Sequence, residues 1–373
     1  MSKSEENNTD SIEAENLGPS NLMDRPFNPK DIDITSKTMS LDTIIKRLDF
    51  GEIDLDTEFQ RHKDLWDFEK QSKLIESILI KFPLPAFYFD GSNNNDWLIV
   101  DGLQRMSSLK RFVIDDDLEL TGLEFLYKLE GKKFSELSRS LQRQIEETQI
   151  TAYIINPGTP IDVKFNIFRR INTGGLILTG QEIRHALNQG RPANFVKELA
   201  DLNSFKKATQ HSIKAERMLD REFTNRFLAF YLTSHQKYRP DIDSFLNESL
   251  VKLSELDEKK IQKCKNDFDS SMNLAYKVFG RYAFRKVPSL NERRRPINKA
   301  LFEVWSVLFA KLTDSQREKI ENKQTGKRLF QEFIELQNKN SEFFDSISNA
   351  TGTKSRVIYR HECLINLLEK YVN

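Results

Sequence analysis

Cysteine is almost missing from this chain. Its 373 residues hold two, Cys264 and Cys363, far apart and in no CxxC pair. That excludes a cysteine-rich zinc site and gives no reason to expect a disulfide framework, and a reducing cytoplasmic setting is expected. Net charge is missing too: 57 Lys and Arg against 56 Asp and Glu leave +1. Contact with nucleic acid therefore has to come from local patches rather than from a globally basic chain. No apolar run approaches the roughly 20 residues that a membrane span needs, and the acidic, polar N-terminus does not read as a signal peptide. Internal repeats are absent.

What is present is a chain with 38% hydrophobic and 30% charged residues, long enough for two domains and a substantial core. Residues 1–35 are rich in Glu, Asp, Asn and Ser and too polar to bury a core, so a disordered acidic tail is expected there. Order is expected near Ser40, an N-cap for a short helix carrying Leu41, Ile44, Ile45 and Leu48 on one face. Short strands follow at 53–55, 86–89 and 97–100, the last two as a hairpin, with more around 118–129 and at 150–155. Between them Asp67 caps a helix bearing Leu74, Ile75, Ile78 and Leu79, and helices follow over 103–113, around 137–145 and over 161–171. Thr179 and Glu182 have capping-box spacing. Beyond 190 the pattern is helical nearly throughout. The fold class is therefore α+β, a mixed α/β domain over 36–190 followed by an all-helical domain over 191–373.

One stretch organises the first domain. Trp97 to Val100 reads as a buried strand, Asp101-Gly102 as a turn, and Leu103, Met106, Leu109 and Phe112 as one face of a helix. A strand, a Gly turn and a helix start point free backbone N–H groups at an anion. Gly102 would let a phosphate approach the backbone, Arg105 supplies a fork of donors, and Gln104 is a neutral donor beside it. Asp101 could bind a metal, position a water, or simply close the turn. Read alone, the pattern is first that of an Asp-Gly turn with a surface Arg. Gln60 and Arg61 sit in a polar loop between Phe59 and Trp66. Asn172, Thr173, Gly174 and Gly175 read either as a helix C-cap or as small donors that admit a ribose or phosphate. Glu76 reads as a surface charge or as a partner of Arg61 or Arg105, Gln181 and Glu182 as capping, and Arg184 as an ion pair or a ligand contact. The densest basic run joins Arg281, Arg285 and Lys286 to Arg293, Arg294, Arg295 and Lys299, with Tyr282 and Phe284 interleaved. It is a solvated face or a contact to a phosphate backbone.

Four blocks taken in order resemble a known family. They are Phe59-Gln60-Arg61 with Trp66; Leu74 to Leu79 running into Pro83-Leu84-Pro85; Asp101-Gly102-Leu103-Gln104-Arg105; and Arg170 to Gly175 with Gln181-Glu182-Ile183-Arg184. Their order, spacing and residue types resemble the N-terminal domain of GmrSD-type restriction enzymes. The resemblance implies a core similar to the ParB and sulfiredoxin fold, with Gly102 to Arg105 cradling nucleotide phosphates and Arg61 facing the same pocket. It implies binding and hydrolysis of a nucleoside triphosphate, coupled to sensing DNA in phage defence; Asp101 would then coordinate Mg²⁺ or orient the attacking water. The family motif is typically DGQQR; here Leu103 replaces the first Gln and removes a polar donor. The family often carries a second, His-based metal nuclease domain. His62, His185, His211, His235 and His361 form no compact cluster of that kind, so this chain is expected to lack the cutting half. The expected function is a DNA-associated nucleotide-binding protein, an NTPase in the first reading. In the second it is a non-catalytic adaptor that recruits a separate nuclease.

Overall fold

The computed structural model describes residues 12–18, 28–55, 66–93, 96–171, 178–290 and 293–373. The chain divides into two compact units, one over 27–187 and one made of residues 1–26 with 188–373.

The first unit is mixed. Its strands are β1 (Ile34–Ser40), β2 (Ile53–Asp54), β3 (Phe87–Asp90), β4 (Trp97–Asp101) and β5 (Gln149–Ile155), which form one sheet in the order β1-β5-β3-β4-β2. β3 runs parallel to β5 and antiparallel to β4, while β1 pairs antiparallel with β5 along its whole length. Period-two alternation puts Phe87, Phe89 and Ile99 on one face, all fully buried. Helices α1 (Leu41–Asp49) and α2 (Phe68–Leu79) start on the side chains expected from the sequence. Ser40 Oγ accepts from the Thr43 amide at 3.4 Å and Asp67 Oδ1 from the Lys70 amide at 2.8 Å. Next come α3 (Leu103–Leu109), which runs on through a π turn over 110–114, then α4 (Arg139–Glu147), α5 (Ile161–Ile171) and α6 (Gly180–Leu187). Met106, Leu109 and Phe112 are completely buried beneath the sheet with Ile44 and Ile75, each contributing about 1.5–3 kcal/mol.

Three expectations are corrected here. The polar stretch before Ser40 supplies β1, an edge strand held by its main-chain ladder to β5 rather than by an apolar face. Residues 118–129 form no strand, and side chains take up the amides of residues 121–126. Glu76, buried on α2, accepts from the amides of Glu124, Phe125 and Leu126 at 3.1, 2.7 and 2.7 Å, and Ser72 Oγ accepts from Thr121 at 2.9 Å. Glu76 is therefore an anchor for this loop, not a partner of Arg105.

Burial alone would raise the Glu76 pKa, but the three amides, aided by Lys73, outweigh it and hold the carboxyl below its ordinary value of 4.5. A carboxylate with a depressed folded-state pKa stabilises above its unfolded pKa and loses that contribution as pH falls through the folded one. Glu76→Gln is accordingly expected to cost about 1–3 kcal/mol near neutral pH. The gap to wild type should close below about pH 4.5, as urea titrations at stepped pH would register. A gap that stays constant with pH would remove the carboxylate from this role.

The second unit is helical, running from α7 (Arg191–Asp201) to α16 (Lys354–Val372). Helix α12 (Lys299–Ala310) is apolar nearly all round and lies in its core. Trp305 on it meets Phe279, Phe309 and Phe333 with ring centroids 5.0, 5.0 and 5.3 Å away. Residues 12–18 correct the third expectation. They belong to the stretch read as a disordered tail, yet they pack on this unit, with Ile12 bridged to Ile297 and the Glu13 amide donating to the Ile297 carbonyl at 2.9 Å. Among the described residues no helix is long and apolar enough to cross a membrane.

Candidate nucleotide site at the strand–glycine–helix turn

Asp101 ends β4 and Gly102 turns the chain into α3 with φ of +104°. A side chain is excluded at Gly102 for two reasons. The left-handed φ is strained for L-residues, and a Cβ would stand 2.5 Å from Cδ1 of Phe87. The space gained by glycine is thus filled from within the fold by Phe87.

Arg105 is the largest departure from expectation at the site. Its guanidinium is buried, donating to the carbonyls of Pro85 and, at 3.0 Å, Ala86, and to Asp101 Oδ2 at 3.0 Å. It also lies 4.2 Å over the Phe87 ring. Burial draws its pKa below the ordinary guanidinium value, with the Asp101 carboxylate pulling the other way. These contacts tie the entry to β3 to the start of α3. Arg105 therefore positions the turn rather than standing exposed in a pocket.

Asp101 and Gln104 remain nearer the surface. The Asp101 side chain is 29% exposed and its Oδ1 carries no hydrogen bond among the described residues. Gln104 Oε1 accepts from the Trp66 amide at 3.3 Å, which brings the end of the Phe59–Trp66 block to this turn. Gln60, Arg61, Asn172, Thr173, Gly174 and Gly175 lie outside the described residues. The Thr179–Glu182 capping box is formed: Thr179 N donates to Glu182 Oε2 at 2.7 Å and Glu182 N to Thr179 Oγ1 at 3.2 Å. Arg184, buried, donates through Nε to Gln181 Oε1 at 3.0 Å.

Two groups escaped the sequence reading. The β3–β4 register shifts between Ile99 and Asp101, so that Asp101 falls opposite Tyr88 instead of continuing the alternation of Trp97 and Ile99. Such bulges re-aim a strand-end side chain. Tyr88 stacks on Tyr153 of β5 at 4.9 Å, and its phenol pKa is raised by burial, then by Tyr153 and Asp101. The signal was the alternation in Phe87-Tyr88-Phe89, which sends the Tyr away from the two Phe. The second group is at the far end of β3, where Lys164 of α5 pairs with both oxygens of Asp90 at 3.2 and 3.3 Å and with Ser92.

The basic run of the helical unit divides. Arg285 is inside, donating to the Arg295 carbonyl at 2.6 Å and to Ser212 Oγ at 2.7 Å, and burial pushes its pKa down to about 10. It is withdrawn from any contact with DNA. Lys286 and Lys299 are engaged by carboxylates. Arg281 and Arg293 are exposed, Arg281 lying against the Tyr282 ring at 4.9 Å, and Arg294 and Arg295 are half-buried. Of the histidines, His185 is buried on α6, while His235 and His361 stack on each other at 4.6 Å in the helical unit. Among the described residues no group of three or more His, Cys, Asp or Glu is placed to hold a metal.

Fold and site together define a small mixed α/β domain with a strand–glycine–helix turn locked by a buried Arg, on a chain that also carries a helical unit. Residues 44–189 match the model for the N-terminal domain of the GmrSD restriction endonuclease, and this segment belongs to that domain family. The match runs from within α1 to just past α6, about two-fifths of the chain, and contains the whole turn. No curated protein and no solved structure matches the chain.

Proposed function

We propose that residues 44–189 bind a nucleoside triphosphate at the β4–Gly102–α3 turn and hydrolyse it, in a DNA-associated protein of restriction and phage defence. The observation that carries this reading is the family match, which spans the Asp101-Gly102 turn. In this reading the first amides of α3 and the side chains of Gln104, Gln60, Arg61, Asn172 and Thr173 contact the nucleotide, with Gly174 and Gly175 admitting it. Arg105 holds the turn from beneath. Mg²⁺ bound here would neutralise phosphate charge. The fit is to a cation held chiefly by phosphates, since Asp101 offers one oxygen without a hydrogen bond among the described residues and Mg²⁺ commonly uses one or two carboxylates plus substrate oxygens. Asp101 would hold that ion or orient the attacking water. DNA contact falls to Arg281, Arg293, Arg294 and Arg295, and cutting to a separate nuclease.

The internal commitment of Arg105, together with Leu103, favours a second reading: a nucleotide-gated adaptor without turnover. Turnover of ATP, GTP, CTP and UTP with Mg²⁺, with and without DNA, separates the two, and Asp101→Asn is the informative variant because Asp101 is the partly exposed member. DNA-stimulated hydrolysis that falls by a factor of about 100 or more in Asp101→Asn, with nucleotide still bound, is expected. Binding without hydrolysis would establish the adaptor. Neither binding nor hydrolysis would remove both readings.

A further inference from the structure

The groove that residues 12–18 occupy on the helical unit is lined by cations. Arg226, 3% exposed, grips Glu15 with both terminal nitrogens, at 3.1 Å to Oε1 and 2.6 Å to Oε2. Thr351 Oγ1 donates to Glu15 at 3.3 Å and Lys299 Nζ lies 3.6 Å from it. Glu13 accepts from Lys286 Nζ at 2.6 Å and from Asn298 Nδ2 at 3.2 Å. On the unit's own side, Glu222 pairs with Arg226 and Lys299 at 3.0 and 2.8 Å, and Glu303 takes Arg226 and Arg360. Four cations thus face four carboxylates in this network, and two of the carboxylates arrive on the strap. Without Glu13 and Glu15 the remaining named groups carry two positive charges in excess.

A bidentate Arg, two Lys, a hydroxyl and an amide N–H form a donor set suited to a tetrahedral anion. The strap's apolar hold is thin: Ile12 is half-buried and Leu17 is 38% exposed. Two main-chain hydrogen bonds, Glu13 N to Ile297 O at 2.9 Å and Thr351 N to Asn16 O at 2.8 Å, and these ion pairs hold it in place, and charge can be exchanged for charge. We propose that this groove is a phosphate-binding site of the helical unit, closed by Glu13 and Glu15 as internal phosphate mimics and opened when residues 12–18 lift away. The site lies outside the nucleotide turn and stands or falls independently of it.

Two full-length variants test this. Gly18→Val leaves every groove charge untouched and is expected to weaken the seating of the strap, since φ at Gly18 is +84° and a Cβ there would meet the Ala350 Cβ at 2.7 Å. Glu13→Gln/Glu15→Gln removes the mimics. Arg281→Ala and Arg293→Ala are carried in every protein to silence that exposed surface. Both variants are expected to bind a short DNA about tenfold tighter than the parent at fixed salt, with a steeper salt dependence. Adding Lys286→Gln and Lys299→Gln should abolish the gain. If inorganic phosphate or pyrophosphate raises the melting temperature of the variants but DNA does not bind, the ligand is a small phosphate and the site stands. If neither variant gains over the parent with any of these probes, the proposal is overturned. Should the double Gln variant fail to fold, added phosphate must restore its cooperative melting, and failure to do so counts against the site equally.

Discussion

Arg105→Ala is expected to unfold the mixed unit at markedly lower denaturant than wild type. The side chain is buried and serves three acceptors, so its removal leaves the Pro85 and Ala86 carbonyls and the Asp101 carboxylate without their donor. Breaking a buried charge pair by deleting one partner costs about 3–5 kcal/mol, a large share of the 5–15 kcal/mol by which a domain is stable. Urea unfolding should show a lower midpoint with an unchanged slope, and amide exchange should rise first in β3 and at the start of α3. Arg105→Lys should recover little, because an ammonium cannot span two carbonyls and a carboxylate or stack as a plane on Phe87. A variant as stable as wild type would mean that the guanidinium is free to serve a ligand after all. The same result bears on function: loss of nucleotide binding in Arg105→Ala would report a collapsed turn as readily as a lost phosphate contact.

Glu303→Gln is expected to have an effect of similar size in the helical unit. Glu303 is 1% exposed and its two oxygens serve Arg226 and Arg360, themselves 3% and 2% exposed. Arg226 keeps its charge against burial because Glu15, Glu303 and Glu222 surround it, and its pKa is raised. A neutral amide in place of Glu303 leaves two buried guanidiniums sharing too little negative charge, at a cost of about 3–5 kcal/mol. Trp305 is the one tryptophan of this unit, so tryptophan fluorescence in a Trp66→Phe/Trp97→Phe background follows its unfolding. A midpoint within error of the parent would show that water or another group shields the arginines.

Local signals were legible from the sequence. Ser40, Asp67 and Thr179 accept the hydrogen bonds that their helix-start spacing implies, each with a donor three residues away. The strand, glycine and helix of residues 97–109 lie where the apolar pattern put them, as do the helical character beyond 190 and the α+β class. These features follow from sterics and hydrogen bonds within a few residues, which the order of side chains fixes directly.

Tertiary structure alone decided what the charged side chains do. Arg105 reaches carbonyls 19 and 20 residues back, Glu76 holds amides 48 to 50 residues on, and Glu13 meets Lys286 across 273 residues. A lone Arg in a DGxxR pattern reads the same whether its guanidinium faces solvent or backbone. The acidic residues before Ser40 likewise read as a solvated tail, because nothing nearby in sequence reveals the buried cations that receive them. Buried charge must find a partner, and chain distance does not limit where that partner lies. So the sequence determined most of the elements and the position of the turn, while the fold determined which charges became structure and which stayed available to a ligand.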